Sequence, residues 1–188
     1  MVGVVVVGTA LVVASSGSSS SSAGGSTGPL LASTASFDNA GTQPVNGIQC
    51  LGREQLLFHI HSHLAVFVEG QQRTIPQGIG ISPPRQRESG FVVNGSCFYW
   101  LHAHTSDGII HIESPVRRTF TLGDYFDIWR QPLSPTQVGP AQGPVTAYRN
   151  GVLFTGNPLD IQLGNHTLIQ LDVGKNVAPR SYSFPSGY

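Results

Sequence analysis

The 188-residue chain carries ten Lys and Arg against ten Asp and Glu, only 11% charged in all, and its longest basic run is Arg117-Arg118. The electrostatic footprint of a nucleic-acid binder is missing from such a sequence, so nucleic acid is set aside as a partner. Roughly 140 residues read as foldable, a length that buries about two thirds of the unfolded surface as one domain without a disulfide framework. Against this sparse charge, seven histidines are the compositional oddity, because His is the commonest metal ligand among side chains.

Residues 1–14 form a signal-like apolar segment, VGVVVVGTALVVA from Val2, of signal-core length and short for a bilayer span. Its length and the tolerable cleavage site Ala14-Ser15-Ser16 lead to the expectation of export, while the lack of any Lys or Arg before it counts the other way; a mis-assigned start codon or a short anchor tethering the chain to a membrane are the competing readings. Residues 15–47 are a Ser/Gly-rich linker and polar transition, since SSGSSSSSAGGSTG cannot bury apolar surface. The expected location is extracytoplasmic: secreted, periplasmic or membrane-tethered. In that setting Cys50 and Cys97, the only cysteines, are expected to form a disulfide.

Residues 48–175 read as a β metal-binding domain and 176–188 as a loose tail. Period-two alternation between Gly, Pro and Asn punctuation predicts strands at 57–68, 91–93, 97–104, 109–113, 145–148, 152–154 and 167–173. Asn150-Gly151 signals a two-residue hairpin. TLGDYFDIW, with Thr121 as N-cap and Asp124 three residues on, predicts one short capped helix. The fold class is therefore mostly β: an antiparallel sandwich, jelly roll or small barrel with one short helix. The sequence sets no oligomeric state.

Along FHIHSHLAVFVEG the side chains of His59, His61 and His63 share one strand face, while Phe58, Ile60, Leu64, Val66 and Val68 share the other. In CFYWLHAHTSDGIIHIES, a two-residue turn at Asp107-Gly108 sets His104 opposite His111 and His102 opposite Glu113, all on one face with opposed Cβ atoms about 4.5 to 5.5 Å apart. Residues i and i+4 on a strand are about 13 Å apart, so one ion cannot take His59, His61 and His63 together. Either two of them join the hairpin histidines, or the set is divided between two metals. Glu113 is a candidate ligand, a group orienting an imidazole from behind, or a catalytic base. Trp100 and Phe98 are expected to pack around the site, His166 to lie at the surface, and Asp124 and Asp127 to cap the helix or face solvent.

The only methionine is Met1, and Cys97 points away from His102 by parity, which leaves nitrogen and carboxylate donors. Copper heads the Irving–Williams order for such donors and is the first choice, with zinc or iron as alternatives. The motifs HxHxHLxVFVxG from His59, IPxGIGI from Ile75, YxLHxHxxxGIIHIES from Tyr99 and FTLGDYFDIW from Phe120 resemble a family of exported bacterial and archaeal proteins to which no activity is assigned. The histidine pattern is also loosely similar to cupins and to copper-zinc superoxide dismutases. The interval from His63 to Glu69 exceeds the cupin spacing, and the dismutase zinc-loop set of Asp and His is absent, so neither activity carries over.

Three functions remain open at this level. One is a metal-binding protein that carries, buffers or senses copper. Another is a mononuclear metalloenzyme, a cupin-like oxygenase or a hydrolase, and the third is a secreted domain stapled by structural zinc.

Overall fold

The computed structural model describes residues 28–188 together with Met1 and Gly3. Apart from Met1 and Gly3 the signal-like segment lies outside the described residues, as do residues 15–27 of the 15–47 linker and transition. Seven strands form the central sheet: β1 (Phe58–Val68), β2 (Gln71–Arg73), β3 (Leu101–His102), β4 (Ile109–Ser114), β5 (Val145–Arg149), β6 (Val152–Phe154) and β7 (Thr167–Val173). Their order is β6-β5-β7-β1-β4-β3, with β2 paired to the far end of β1. All pairs are antiparallel except β7 with β1, which run parallel. Smaller two- and three-stranded ribbons surround this sheet, and no closed barrel forms among the described residues, so the fold is mostly β and sandwich-like.

Alternation along β1 decides the two faces of the sheet. Its inward residues Leu64 and Val66 join Ile110 and Ile112 of β4 and Ile169, Leu171 and Val173 of β7 in one buried cluster. The one-turn helix α1 (Ala35–Asp38) adds Phe37, and α2 (Leu122–Trp129) adds Leu122, Tyr125, Phe126, Ile128 and Trp129. Burying each large apolar side chain contributes about 1.5 to 3 kcal/mol, and this cluster holds the sheet's inner face. Helix α2 starts where the sequence predicts: Asp124 N–H donates to Thr121 Oγ1 (3.2 Å) and Thr121 N–H to Asp124 Oδ2 (3.0 Å), a reciprocal cap. The hairpin at Asn150-Gly151 also forms, with φ of 53° and 77° and Arg149 opposite Val152.

The tail expected to be loose lies across the outer face instead. Val177 N–H donates to Asp172 Oδ2 (2.8 Å) and Arg180 N–H to Gln170 Oε1 (2.9 Å), so the buried Gln170 and Asp172 of β7 find partners in the tail backbone. Tyr182 stacks on His63 with ring centroids 3.6 Å apart, and Phe184 stacks on His166 at 4.4 Å. Composition made the tail look loose; its three aromatic residues, Tyr182, Phe184 and Tyr188, supply apolar and ring contacts that period-based reading does not detect.

Two devices fix the segment carrying β3. Cys50 and Cys97 are bridged, with Cα atoms 5.4 Å apart, and Cys50–Leu51 pairs with Phe98–Tyr99; such a bridge belongs to an oxidising compartment. On the other side, the IPQGIGI stretch braces the chain through Gly78 N–H to Ala103 O (2.7 Å), Ala103 N–H to Ile79 O (2.9 Å) and Tyr99 N–H to Gly80 O (2.7 Å). Gly80 has φ 71°, and a Cβ there would meet Leu101 O at 2.2 Å and His102 Cα at 2.9 Å. Only glycine allows both the backbone conformation and the approach. Gly80→Ala is expected to destabilise the protein by more than the about 1 to 2 kcal/mol of the left-handed backbone alone. Urea unfolding measures this, and an unchanged midpoint would remove Gly80 from the bracing role.

Candidate metal centre

Cross-strand register assembles the site on the outer face. His61 of β1 lies opposite His111 of β4, and His111 lies opposite His102 of β3, so three imidazoles form a row across three adjacent strands. Ring centroids are 4.6 Å apart for His61 and His111 and 5.4 Å for His102 and His111, the spacing neighbouring strands impose. One residue pair further along, His59 lies opposite Glu113.

The register of β3 differs from the sequence expectation by two residues. His102 faces His111, not Glu113, and no two-residue turn forms at Asp107-Gly108, because the chain leaves the sheet after His102 and rejoins it at Ile109. The cause lies in competing partners. His104 exchanges two hydrogen bonds with Val92, through Val92 N–H to His104 O (2.9 Å) and His104 Nδ1–H to Val92 O (2.6 Å), and Leu64 N–H donates to Gly108 O (2.9 Å). An even shift keeps every side chain on its face, so His102, His111 and Glu113 still converge.

Backbone carbonyls fix the tautomers of two rings. Nδ1–H of His102 donates to Tyr99 O (2.9 Å) and Nδ1–H of His104 to Val92 O (2.6 Å), which in the neutral imidazoles leaves both Nε2 atoms as lone-pair donors. Those Nε2 atoms stand 3.0 Å apart. The Nε2 atoms of His59 and His61 are likewise 3.0 Å apart. Glu113 Oε1 sits 3.1 Å from His59 Nε2 and 3.4 Å from His111 Nδ1, and Oε2 lies 3.8 Å from His102 Nε2. Glu113 Oε2 and His111 Nδ1 are buried with no hydrogen-bond partner. Buried polar atoms left this way are uncommon and cost about 1 to 3 kcal/mol each.

Burial, then the neighbouring His59, brings His61 down to about 4; burial, then His104, brings His102 to about 3. His111 is lowered further by burial and the imidazoles of His102, His104 and His61. Burial, then the charge of Glu54, pushes the Glu113 carboxyl up to about 7. His104 goes the other way: burial opposes its charged form, but Glu54 and the Val92 carbonyl outweigh it and hold its pKa up. Three rings therefore stay neutral, with lone pairs available, at mildly acidic pH.

Among the residues singled out from sequence, His59, His61, His102, His104, His111 and Glu113 come together, and within two groups, His59, His61, His111 and Glu113 and His102, His104, His111 and Glu113, the donor atoms lie within 4.8 Å of one another. These clusters can hold a metal ion. His63 is not among them; its Nε2–H donates to Asp107 O (3.0 Å) while its ring lies against Tyr182. Phe98 packs beside His102 at 5.6 Å as expected, whereas Trp100 departs from that expectation and joins the core against Phe120, because the chain bends between Tyr99 and Leu101. His166 is exposed, Asp124 caps α2, and Asp127 accepts from Asn46 Nδ2 (2.8 Å).

Two neighbours escaped the sequence reading. Glu54 Oε1 lies 3.3 Å from His104 Nε2, and the Cys50–Cys97 pair was the signal, since it ties a segment four residues before Glu54 to the histidine strand. Tyr188 lies over His61 (4.7 Å) and His111 (5.5 Å), and its carbonyl accepts from His166 Nε2–H (2.9 Å). Together with Phe91 and Val93 it lines a cleft of about 390 Å³ open above the histidines.

Fold and site thus define a mostly β, disulfide-bridged protein with a histidine and carboxylate cluster able to hold a metal. The chain matches no protein-family model, no curated protein and no solved structure.

The metal-free protein should lose stability on acidification. His63 is held down to about 4 by burial, below the ordinary 6.5, so its contribution is present above pH 6.5 and is lost as pH falls through about 4. His63→Phe keeps the ring contact with Tyr182 and should narrow the difference between urea midpoints at pH 7 and pH 4.5; an unchanged difference would exonerate His63.

Proposed function

We propose that the protein is an extracytoplasmic transition-metal-binding protein whose strand histidines take copper. The observation that carries this reading is the set of four Nε2 atoms, two of them turned into the site by backbone carbonyls that accept the Nδ1–H, brought together in pairs 3.0 Å apart beside a buried, unpartnered carboxylate oxygen. Without a cation, each pair is held by a proton shared between its nitrogens and the buried oxygen is unsatisfied; a cation can replace the proton and answer the oxygen. Nitrogen and carboxylate donors favour copper, with zinc or iron behind it, since both cysteines are in the disulfide and Met1 is the only methionine. The disulfide supports an extracytoplasmic location, and the motifs quoted above support kinship with exported bacterial and archaeal proteins.

The open cleft favours a second reading over a structural zinc staple. An ion at its base would keep a coordination position facing solvent, and Glu113, held up to about 7 by burial, would serve as a base toward a metal-bound water. That reading is a metalloenzyme of the hydrolase or oxygenase kind, and turnover rather than binding separates it from the first.

Metal-free protein exposed to Cu(II) and desalted should retain copper by elemental analysis, with nitrogen hyperfine structure in its electron paramagnetic resonance spectrum. His111→Ala combined with Glu113→Ala should lower affinity at least about tenfold. A wild-type protein that retains no copper, zinc or iron would end the metal reading.

Uptake should also weaken as pH falls from 7 toward 5. Glu113 is largely protonated below about 7 and must release its proton to the ion, whereas His61 and His102 are already neutral there. Calorimetry in buffers of different ionisation enthalpy should report net proton release at pH 6, from Glu113 and from His104, whose pKa is held up; the release should fall in Glu113→Gln, and an unchanged release there would contradict the assignment of Glu113 as a ligand.

A further inference from the structure

The donors divide into two groups that overlap only in His111 and Glu113. Each group contains its own pair, His59 with His61 and His102 with His104, and each pair has its Nε2 atoms 3.0 Å apart. Two nitrogens bound at about 2.0 to 2.1 Å from one ion stand roughly 3 to 3.4 Å from each other, so each pair already spans one edge of a coordination shell. The four pair members do not fall into a single group, which argues against one ion gathering them all.

Glu113 lies between the pairs and turns one oxygen to each. Oε1 is 3.1 Å from His59 Nε2, and Oε2 is 3.8 Å from His102 Nε2. A carboxylate placed this way bridges two ions about 3.5 to 4 Å apart. The second pair has a further carboxylate of its own, Glu54, 3.3 Å from His104 Nε2. Glu54 and Glu113 together balance the charge of two cuprous ions, or half that of two divalent ones.

We propose that the site is a two-ion centre: His59 and His61 hold one transition-metal ion, His102 and His104 the other, and Glu113 bridges them with His111 between. The proposal rests on the metal-binding reading and adds number and arrangement to it. A bridged pair facing an open cleft presents two adjacent Lewis-acidic positions, suited to a small anionic or oxygen ligand spanning both ions.

The test uses the full chain, stripped with chelator, loaded with excess Cu(II) and desalted. Two copper ions per chain are expected, with a coupled spectrum: a half-field line and an integrated resonance well below two spins. One ion per wild-type chain overturns the two-ion centre but leaves metal binding standing, and no retained copper overturns both. His59→Ala with His61→Ala, and separately His102→Ala with His104→Ala, should each retain one ion with an uncoupled spectrum. Two ions retained by either double variant, or none retained by a variant whose circular dichroism matches wild type, overturns the division into pairs. Glu113→Gln should raise the integrated resonance toward that of its bound copper, and a resonance as depressed as wild type with both ions retained overturns the bridge.

Discussion

The register of three strands is the constraint on which the site depends. His61, His111 and His102 are directly opposed across β1, β4 and β3, so their spacing is that of the sheet itself, and no loop has to find the geometry. The same alternation that lines them up sends Leu64, Val66, Ile110 and Ile112 into the core. A slip of one residue in any pairing would exchange the two sets, placing imidazoles in an apolar interior at several kcal/mol each. Core packing and donor assembly are therefore enforced by one choice of register.

Rigidity around the row comes from outside the sheet. The Gly78–Ile81 backbone and the Cys50–Cys97 bridge hold the chain on either side of His102, and Val92 grips His104 from above. Such support matters because ligand geometry has to be held by backbone that does not itself belong to the site. The unpartnered Glu113 Oε2 and His111 Nδ1 are a deficit that the rest of the fold sustains, as it sustains those at Trp100 Nε1, Tyr125 Oη, Arg149 Nε and Tyr182 Oη; at Glu113 and His111 it falls among side chains of metal-ligating type.

Much of this was readable from the chain. The strands at 58–68 and 109–114 and the helix at 122–129 follow from alternation and capping that local residues decide, and the shared face of His59 with His61 and of His111 with Glu113 follows from parity. What was not readable depended on partners distant in sequence. The hairpin register yielded to Val92 and Leu64, Trp100 turned inward at a bend, and His63 was claimed by Tyr182 from the tail. The parallel pairing of β7 with β1 likewise has no local signature, because Thr167–Val173 looks the same whichever way its neighbour runs. Glu54 reached the site through the disulfide, not through any motif of its own.

The placement of Tyr188 has a practical side for anyone handling the protein. Its ring rests on His61 and His111, so any residues appended after it emerge at the mouth of the cleft. An oligohistidine purification tag fused there would add imidazoles beside those of the strands and confound any assay of metal content.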